Sequence, residues 1–153
     1  MAHILIAEDD ASMLEFLSKA LSKAGHNVTS ANDGLEALTQ LKNSAEKFDL
    51  LLSDIVMPGM DGVELSQKAK DLYPGLKIMF ITGFNAVTMN NQRQPDANEK
   101  VLSKPFHLKD LIDQVETLLA AWLQSIDHAY SRDYFVQEQH TPIVRTNGWL
   151  AQR

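Results

Sequence analysis

The chain has 153 residues, 44% of them hydrophobic, which is enough for one domain with a real core and a further segment. Its formal net charge of −6, with lysines and arginines scattered along the chain, argues against non-specific nucleic-acid binding. The absence of cysteine excludes a disulfide framework, a thiolate metal site and a thiol nucleophile. No run approaches the ~18 apolar residues of a membrane span, so the expectation is a soluble cytoplasmic protein with no membrane contact.

Short apolar runs alternate with segments of helical period. Ile4-Leu5-Ile6-Ala7 predicts a buried strand. Ser12 to Ala24 carries Met13, Leu14, Leu17, Ala20, Leu21 and Ala24, a helical stripe that Gly25 stops. Asn27 to Ala31 reads as a second strand. Asn32 or Asp33 caps a helix through Leu35, Leu38 and Leu41 that ends near Ser44. Asp49 to Ser53 is a third strand, and Gly62 to Leu72 a helix stopped by Pro74-Gly75. Lys77 to Thr82 is a fourth strand, and Lys100 to Ser103 a short fifth. Leu108 to Ile126 is an amphipathic helix whose stripe includes Leu111, Ile112, Val115, Leu118, Leu119 and Trp122. Phe84 to Glu99 stands where a fourth helix is due, but its asparagines, glutamines and Pro95 are poor helix material. The segment predicts a short helix over Asn85 to Asn91 followed by loop. The expected division is a domain over residues 1–124 and a tail over 125–153, either disordered or docking through Tyr130, Tyr134, Phe135 and Trp149.

Strands alternating with helices imply parallel βα units with right-handed crossovers. Five such units give an α/β fold, a doubly wound five-stranded parallel sheet with a short or irregular fourth helix. Sites in this architecture lie at the carboxyl ends of the strands, where the strand order reverses. The polar residues expected there are Glu8-Asp9-Asp10 after the first strand, Asp54 after the third, Thr82 after the fourth and Lys104 after the fifth. Three carboxylates brought together repel one another and need a cation. All-oxygen ligation suits Mg²⁺, which keeps waters and accepts a phosphate oxygen. With the Lys104 ammonium and the Thr82 hydroxyl, these groups form a site for moving a phosphoryl group onto a carboxylate. Each piece alone has a plainer reading: turn residue, helix cap, solvated lysine, β-former. Their joint occurrence, one at each strand tip, carries the functional reading.

These residues resemble the receiver domain of two-component response regulators, a flavodoxin-like fold. Glu8-Asp9, Asp54, Thr82 and Lys104-Pro105 match that family's acidic pair, phosphoacceptor, hydroxyl residue and lysine-proline, and "DIVMPGMDG" from Asp54 to Gly62 resembles its most recognisable stretch. The resemblance covers about residues 2 to 123. It implies that Asp54 accepts the phosphoryl group from a histidine kinase or histidine phosphotransferase. It also implies that Asp9 ligates Mg²⁺ directly, that Glu8 acts largely in the outer sphere, and that the Val56 carbonyl joins the metal set. Asp10 would start the first helix, although "EDD" leaves its contribution to the acidic site open. Such a chain is a signalling module rather than an enzyme.

"KIMFITGFNAV" and "KVLSKPFHLKDLIDQVE" are similar to the CpdR-like group of single-domain regulators in alphaproteobacteria. That similarity implies an output through protein contact, with ClpX of the protease ClpXP as the partner of the unphosphorylated form. Two features depart from the pattern. The tail is extra, and Val101 stands where the family usually has an aromatic on the fifth strand. A haloacid-dehalogenase-type phosphatase would need a D-x-D nucleophile motif on the first strand, which "AEDDAS" lacks. A flavodoxin-like electron carrier would need a Ser/Thr-rich phosphate loop where this chain is acidic. The remaining rival is an α/β interaction module with a degenerate, unphosphorylated site. The five histidines lack metal-ligand spacing, His107 is expected to start the last helix, and Met57 and Met60 to cap the core or make loop contacts.

Overall fold

The computed structural model describes residues 1–83 and 98–120. Phe84, the expected short helix over 85–91, Trp122 and the tail at 125–153 lie outside the described residues. The strands are β1 (His3–Ala7), β2 (Asn27–Ala31), β3 (Leu50–Asp54), β4 (Lys77–Thr82) and β5 (Glu99–Ser103). The helices are α1 (Ala11–Lys23), α2 (Gly34–Asn43), α3 (Gly62–Leu72) and α4, over 108–120. The five strands form one parallel sheet in the order β2-β1-β3-β4-β5.

Why the strands read as near-continuous apolar runs is visible in the core. Successive side chains point to opposite faces, and helices cover both faces. Leu5, Ala7, Leu51, Ile78 and Phe80 pack on one side with Ala37, Leu38 and Leu41 of α2 and Leu65 and Ala69 of α3. Ile4, Ile6, Leu50, Leu52, Met79 and Ile81 pack on the other with Leu14, Leu17 and Leu21 of α1 and Leu111, Val115 and Leu118 of α4. Each Leu, Ile, Met or Phe among them, fully buried, contributes roughly 1.5–3 kcal/mol to folding before the entropy cost.

The first three helices begin on aspartate caps. Asp10 Oδ1 accepts from the Ser12 and Met13 N–H groups, Asp33 Oδ1 from Glu36, and Asp61 Oδ1 from Glu64. Each cap satisfies orphan donors of the first turn and contributes ~1 kcal/mol. All three stand at the carboxyl end of the sheet, because each helix starts where a strand has just ended. At the other end of α1, Gly25 takes φ 99°, a left-handed conformation suited to a helix stop.

Several boundaries differ from the sequence reading by a residue. β3 runs from Leu50 through Asp54 rather than Asp49 to Ser53, because Asp54 stays in register with Ile81 and the following Ile55 N–H still donates to the Ile81 carbonyl. The strand therefore ends on its carboxylate instead of just before it. β5 starts at Glu99, not Lys100, and α1 at Ala11, not Ser12. His107 precedes α4, and its carbonyl accepts the Leu111 N–H. Met57 is buried in the core beside α2 and α3, with Met60 packed against it.

Candidate functional site

β1 leads to β2 on one side and β3 lies on its other side, so the strand order reverses between β1 and β3. Ala7 is level with Ser53, which places Glu8 and Asp54 side by side at the carboxyl end of this switch point. Strand alternation then separates the acidic run. Glu8 is buried (1% exposed), Asp9 is exposed, and Asp10 is turned back as the cap of α1. One carboxylate oxygen from each of Glu8, Asp9 and Asp54 lies within 4.8 Å of the others. Asp10 turns its Oδ1 onto the first turn of the helix, and its N–H donates to Glu8 Oε1 at 3.1 Å.

Asp54 is 8% exposed. The Val56 N–H donates to its Oδ1 at 3.3 Å, and the Lys104 ammonium stands 3.5 Å from its Oδ2. The same ammonium is 3.9 Å from Glu8 Oε2, an oxygen that is buried and accepts no hydrogen bond. The Glu8 carboxyl is raised from 4.5 to about 7, chiefly by burial, with smaller effects of both signs. The Asp10 N–H pulls it down, the neighbouring Asp54 charge pushes it up further, and Lys104 partly offsets that. Lys104 reaches the site because its own N–H donates to the Thr82 carbonyl at 2.7 Å, which extends the β4–β5 ladder to the strand tip. Thr82 is buried, with its hydroxyl donating to the Gly83 carbonyl at 3.0 Å. Val56 is 69% exposed, so its side chain points away from the core while Ile55 and Met57 on either side point in.

The arrangement fits a hard divalent cation on chemical grounds. Three convergent carboxylates, one with an unpartnered buried oxygen, are held together with a single ammonium close to two of them. Oxygen-only donors favour Mg²⁺ over softer metals. A group able to accept a phosphoryl unit, Asp54, sits among a cluster of charges and at hydrogen-bond reach of an ammonium.

Residues 4–116 match the family model of the response regulator receiver domain. The chain belongs to the response regulator receiver family. Modules of this family act in general in signalling rather than as enzymes. The chain is 53% identical over 121 residues to the response regulator receiver protein CpdR of Brucella abortus, covering 79% of this chain and 99% of that protein. It is 32% identical over 118 residues to the sensor kinase CckA of the same organism, covering 77% of this chain but 12% of the kinase. Among solved structures, a response regulator receiver protein from Sinorhizobium medicae superposes with a TM-score of 0.71 at 32% identity, covering 78% of this chain and 95% of that one. The five-stranded parallel sheet with flanking helices is the flavodoxin-like fold expected of a receiver. Among the described residues, no helix is long and apolar enough to cross a membrane.

Two contributions to the receiver site escaped the sequence. The Asp10 N–H that holds Glu8 follows from the cap geometry, and only the aspartate before an apolar helical stripe signalled it. The opposite environments of Glu8 and Asp9 follow from which way β1 faces, which two adjacent acidic letters do not encode.

Proposed function

We propose that this receiver works as a phosphorylation-dependent protein-binding switch in a phosphorelay, with Asp54 as the phosphoacceptor. The observation that carries the reading is the convergence of Glu8, Asp9 and Asp54 with Lys104 at the switch point of the sheet. The phosphodonor is a histidine kinase or histidine phosphotransferase carrying phosphohistidine. An Asp54 oxygen attacks phosphorus and forms the P–O bond. The P–N bond breaks and its electron pair returns to the imidazole nitrogen; with the other ring nitrogen already protonated, the donor histidine is left neutral. Asp9, Asp54 and the Val56 carbonyl would hold Mg²⁺, with Glu8 supporting them, and the bound ion would supply positive charge to the phosphoryl oxygens. Lys104 binds a phosphoryl oxygen as it leaves the carboxylate it now faces. The Thr82 hydroxyl exchanges its Gly83 acceptor for another phosphoryl oxygen, which transmits the charge change to β4 and β5.

The output leaves through a protein contact, for which the segment 84–99 and residues Phe106 to Lys109 are the candidates. The identity to a CpdR protein supports ClpX, of the protease ClpXP, as the partner of the unphosphorylated form. Residues 1–124 serve as the receiver body and 125–153 as a separate tail. Cytoplasmic action follows from this partner set.

The test is phosphoryl incorporation from acetyl phosphate into wild type and Asp54→Asn, with and without a chelator. Labelling is expected only in wild type with Mg²⁺. Undiminished labelling of the variant would sink the assignment, and an unlabelled wild type would favour an interaction module with a degenerate site. A ClpX pull-down with wild type, Asp54→Ala and phosphorylated protein tests the output. Binding by the first two but not the third is expected. Equal binding by all three removes the adaptor reading.

A further inference from the structure

Two glycines outside the charged cluster hold contacts that no other residue permits. A Cβ on Gly62, the first residue of α3, would lie 2.1 Å from the Asp54 carbonyl oxygen and 3.0 Å from Ile55 Cα. A Cβ on Gly34, the first residue of α2, would lie 2.6 Å from the Met60 carbonyl oxygen and 3.0 Å from Met60 Cβ. Both glycines are buried, and neither has a positive φ. Close approach, not an unusual backbone conformation, is what requires them. The atoms they meet are backbone or Cβ atoms, which cannot swing aside as a side-chain tip can.

Between the two contacts runs the loop over 55–61. Ile55 and Met57 anchor it in the core, Gly59 turns it at φ 76°, and the Gly62 N–H closes it on the Ile55 carbonyl at 2.8 Å. The loop carries Val56, whose N–H holds Asp54 Oδ1.

We propose that Gly34 and Gly62 are positioning residues for phosphoryl transfer. Their missing side chains let the starts of α2 and α3 close on the 55–61 loop from two sides and so fix the Asp54 carboxylate and the Val56 peptide. The proposal rests on Asp54 being the phosphoacceptor. Gly62 acts on the peptide of the nucleophile itself, whereas Gly34 acts one step away, through Met60 and the loop. The two substitutions therefore carry different signatures. Gly34→Ala shifts the Val56 peptide and raises the Mg²⁺ concentration for half-maximal labelling about tenfold, while saturating Mg²⁺ restores most of the rate. Gly62→Ala displaces Asp54 and lowers the rate about tenfold or more even at saturating Mg²⁺, since sub-ångström misplacement of a reacting group is costly.

The experiment measures acetyl phosphate labelling against Mg²⁺ concentration, and the Mg²⁺-induced rise in melting temperature, for wild type, Asp54→Asn, Gly34→Ala, Gly62→Ala and Gly75→Ala. Gly75 has open space around its would-be Cβ and serves as the neutral control. A purely structural role would lower the melting temperature and leave the Mg²⁺ midpoint of the folded molecules where it is in wild type. That result in Gly34→Ala, beside a labelled wild type, overturns the proposal. An unlabelled wild type, or an Asp54→Asn that labels normally, brings down the phosphoacceptor reading instead and is recognised in those arms. Should the glycine variants not fold, an NMR titration of wild type with Mg²⁺ tests the same link. The Gly34 amide must move with that of Met60 at a common midpoint, and a Gly34 resonance that stays fixed overturns the proposal.

Discussion

The two ends of the sheet are built from the same strands and satisfy their polar groups in opposite ways. Among the described residues, polar side chains at the amino ends find partners. The His3 N–H donates to Asp49 Oδ2 at 2.8 Å, the Lys77 ammonium to Asn98 Oδ1 at 2.6 Å, and Lys70 pairs with the buried Glu99. The His26 ring accepts the Ala2 N–H on Nδ1 and meets Glu116 of α4 at 2.8 Å through Nε2. His3 Nδ1 is the exception, a buried nitrogen with no hydrogen bond. At the carboxyl ends the distances are longer, like charges face one another, and Glu8 Oε2 has no hydrogen bond. The carboxyl end, beside its stabilising helix caps, holds unfavourable electrostatics that a cation would relieve.

The largest expected effect separates roles within the carboxyl end. Asp9→Ala should weaken Mg²⁺ binding by about a hundredfold or more, as expected on removing a ligating carboxylate. Lys104→Ala should leave Mg²⁺ affinity within a few-fold of wild type and instead uncouple phosphorylation from partner binding. Metal titration by intrinsic fluorescence checks both, and equal losses in the two variants would erase the division of labour.

Next comes a reversal of the usual sign of a buried-residue mutation. The folded Glu8 holds its proton to about pH 7 against 4.5 unfolded, so the folded state binds more protons across that window. Stability of the metal-free protein should therefore fall as pH rises from about 4.5 to 7. Glu8→Gln should remove that fall and be more stable than wild type near pH 7 by on the order of 2 kcal/mol, with the difference vanishing near pH 4.5. Urea unfolding in the presence of a chelator at several pH values measures it. A pH-independent difference would mean that burial of the charge is not the cause.

The smallest effect lies at the amino end. His26→Ala removes a side chain that is 6% exposed and links the N-terminal segment to α4. A loss of ~1 kcal/mol is expected, with labelling per folded molecule unchanged. A labelling defect there would show that the two ends are coupled.

The sheet was legible because both of its faces are buried. Leu50-Leu51-Leu52 and Ile78-Met79-Phe80-Ile81 have no polar face to confuse the reading. β2, with Asn27 and Ser30 exposed and Ala31 alone buried, has a weaker pattern of its own. Asp54, Thr82 and Lys104 were legible as a set because the fold dictates where strand tips meet. Gly34 and Gly62 were not, since a glycine after aspartate reads as turn or cap chemistry, and the contact that requires it comes from elsewhere in the chain. Nor could the letters tell that Glu8 and Asp9 differ so far in exposure, because that depends on the facing of one strand.

Val56 has a consequence in time. Two residues beyond Asp54, it offers its backbone N–H to the carboxylate and a side chain without any hydrogen-bonding atom to the solvent side. Such a side chain cannot hold a water in line with an acyl phosphate. On the reading that Asp54 carries the phosphoryl group, slow hydrolysis is expected, and loss of label faster in wild type than in a Val56→Asn variant would contradict it. Slow loss would leave the lifetime of the message to the supply and withdrawal of phosphoryl groups by partner proteins, making the molecule a register rather than a clock.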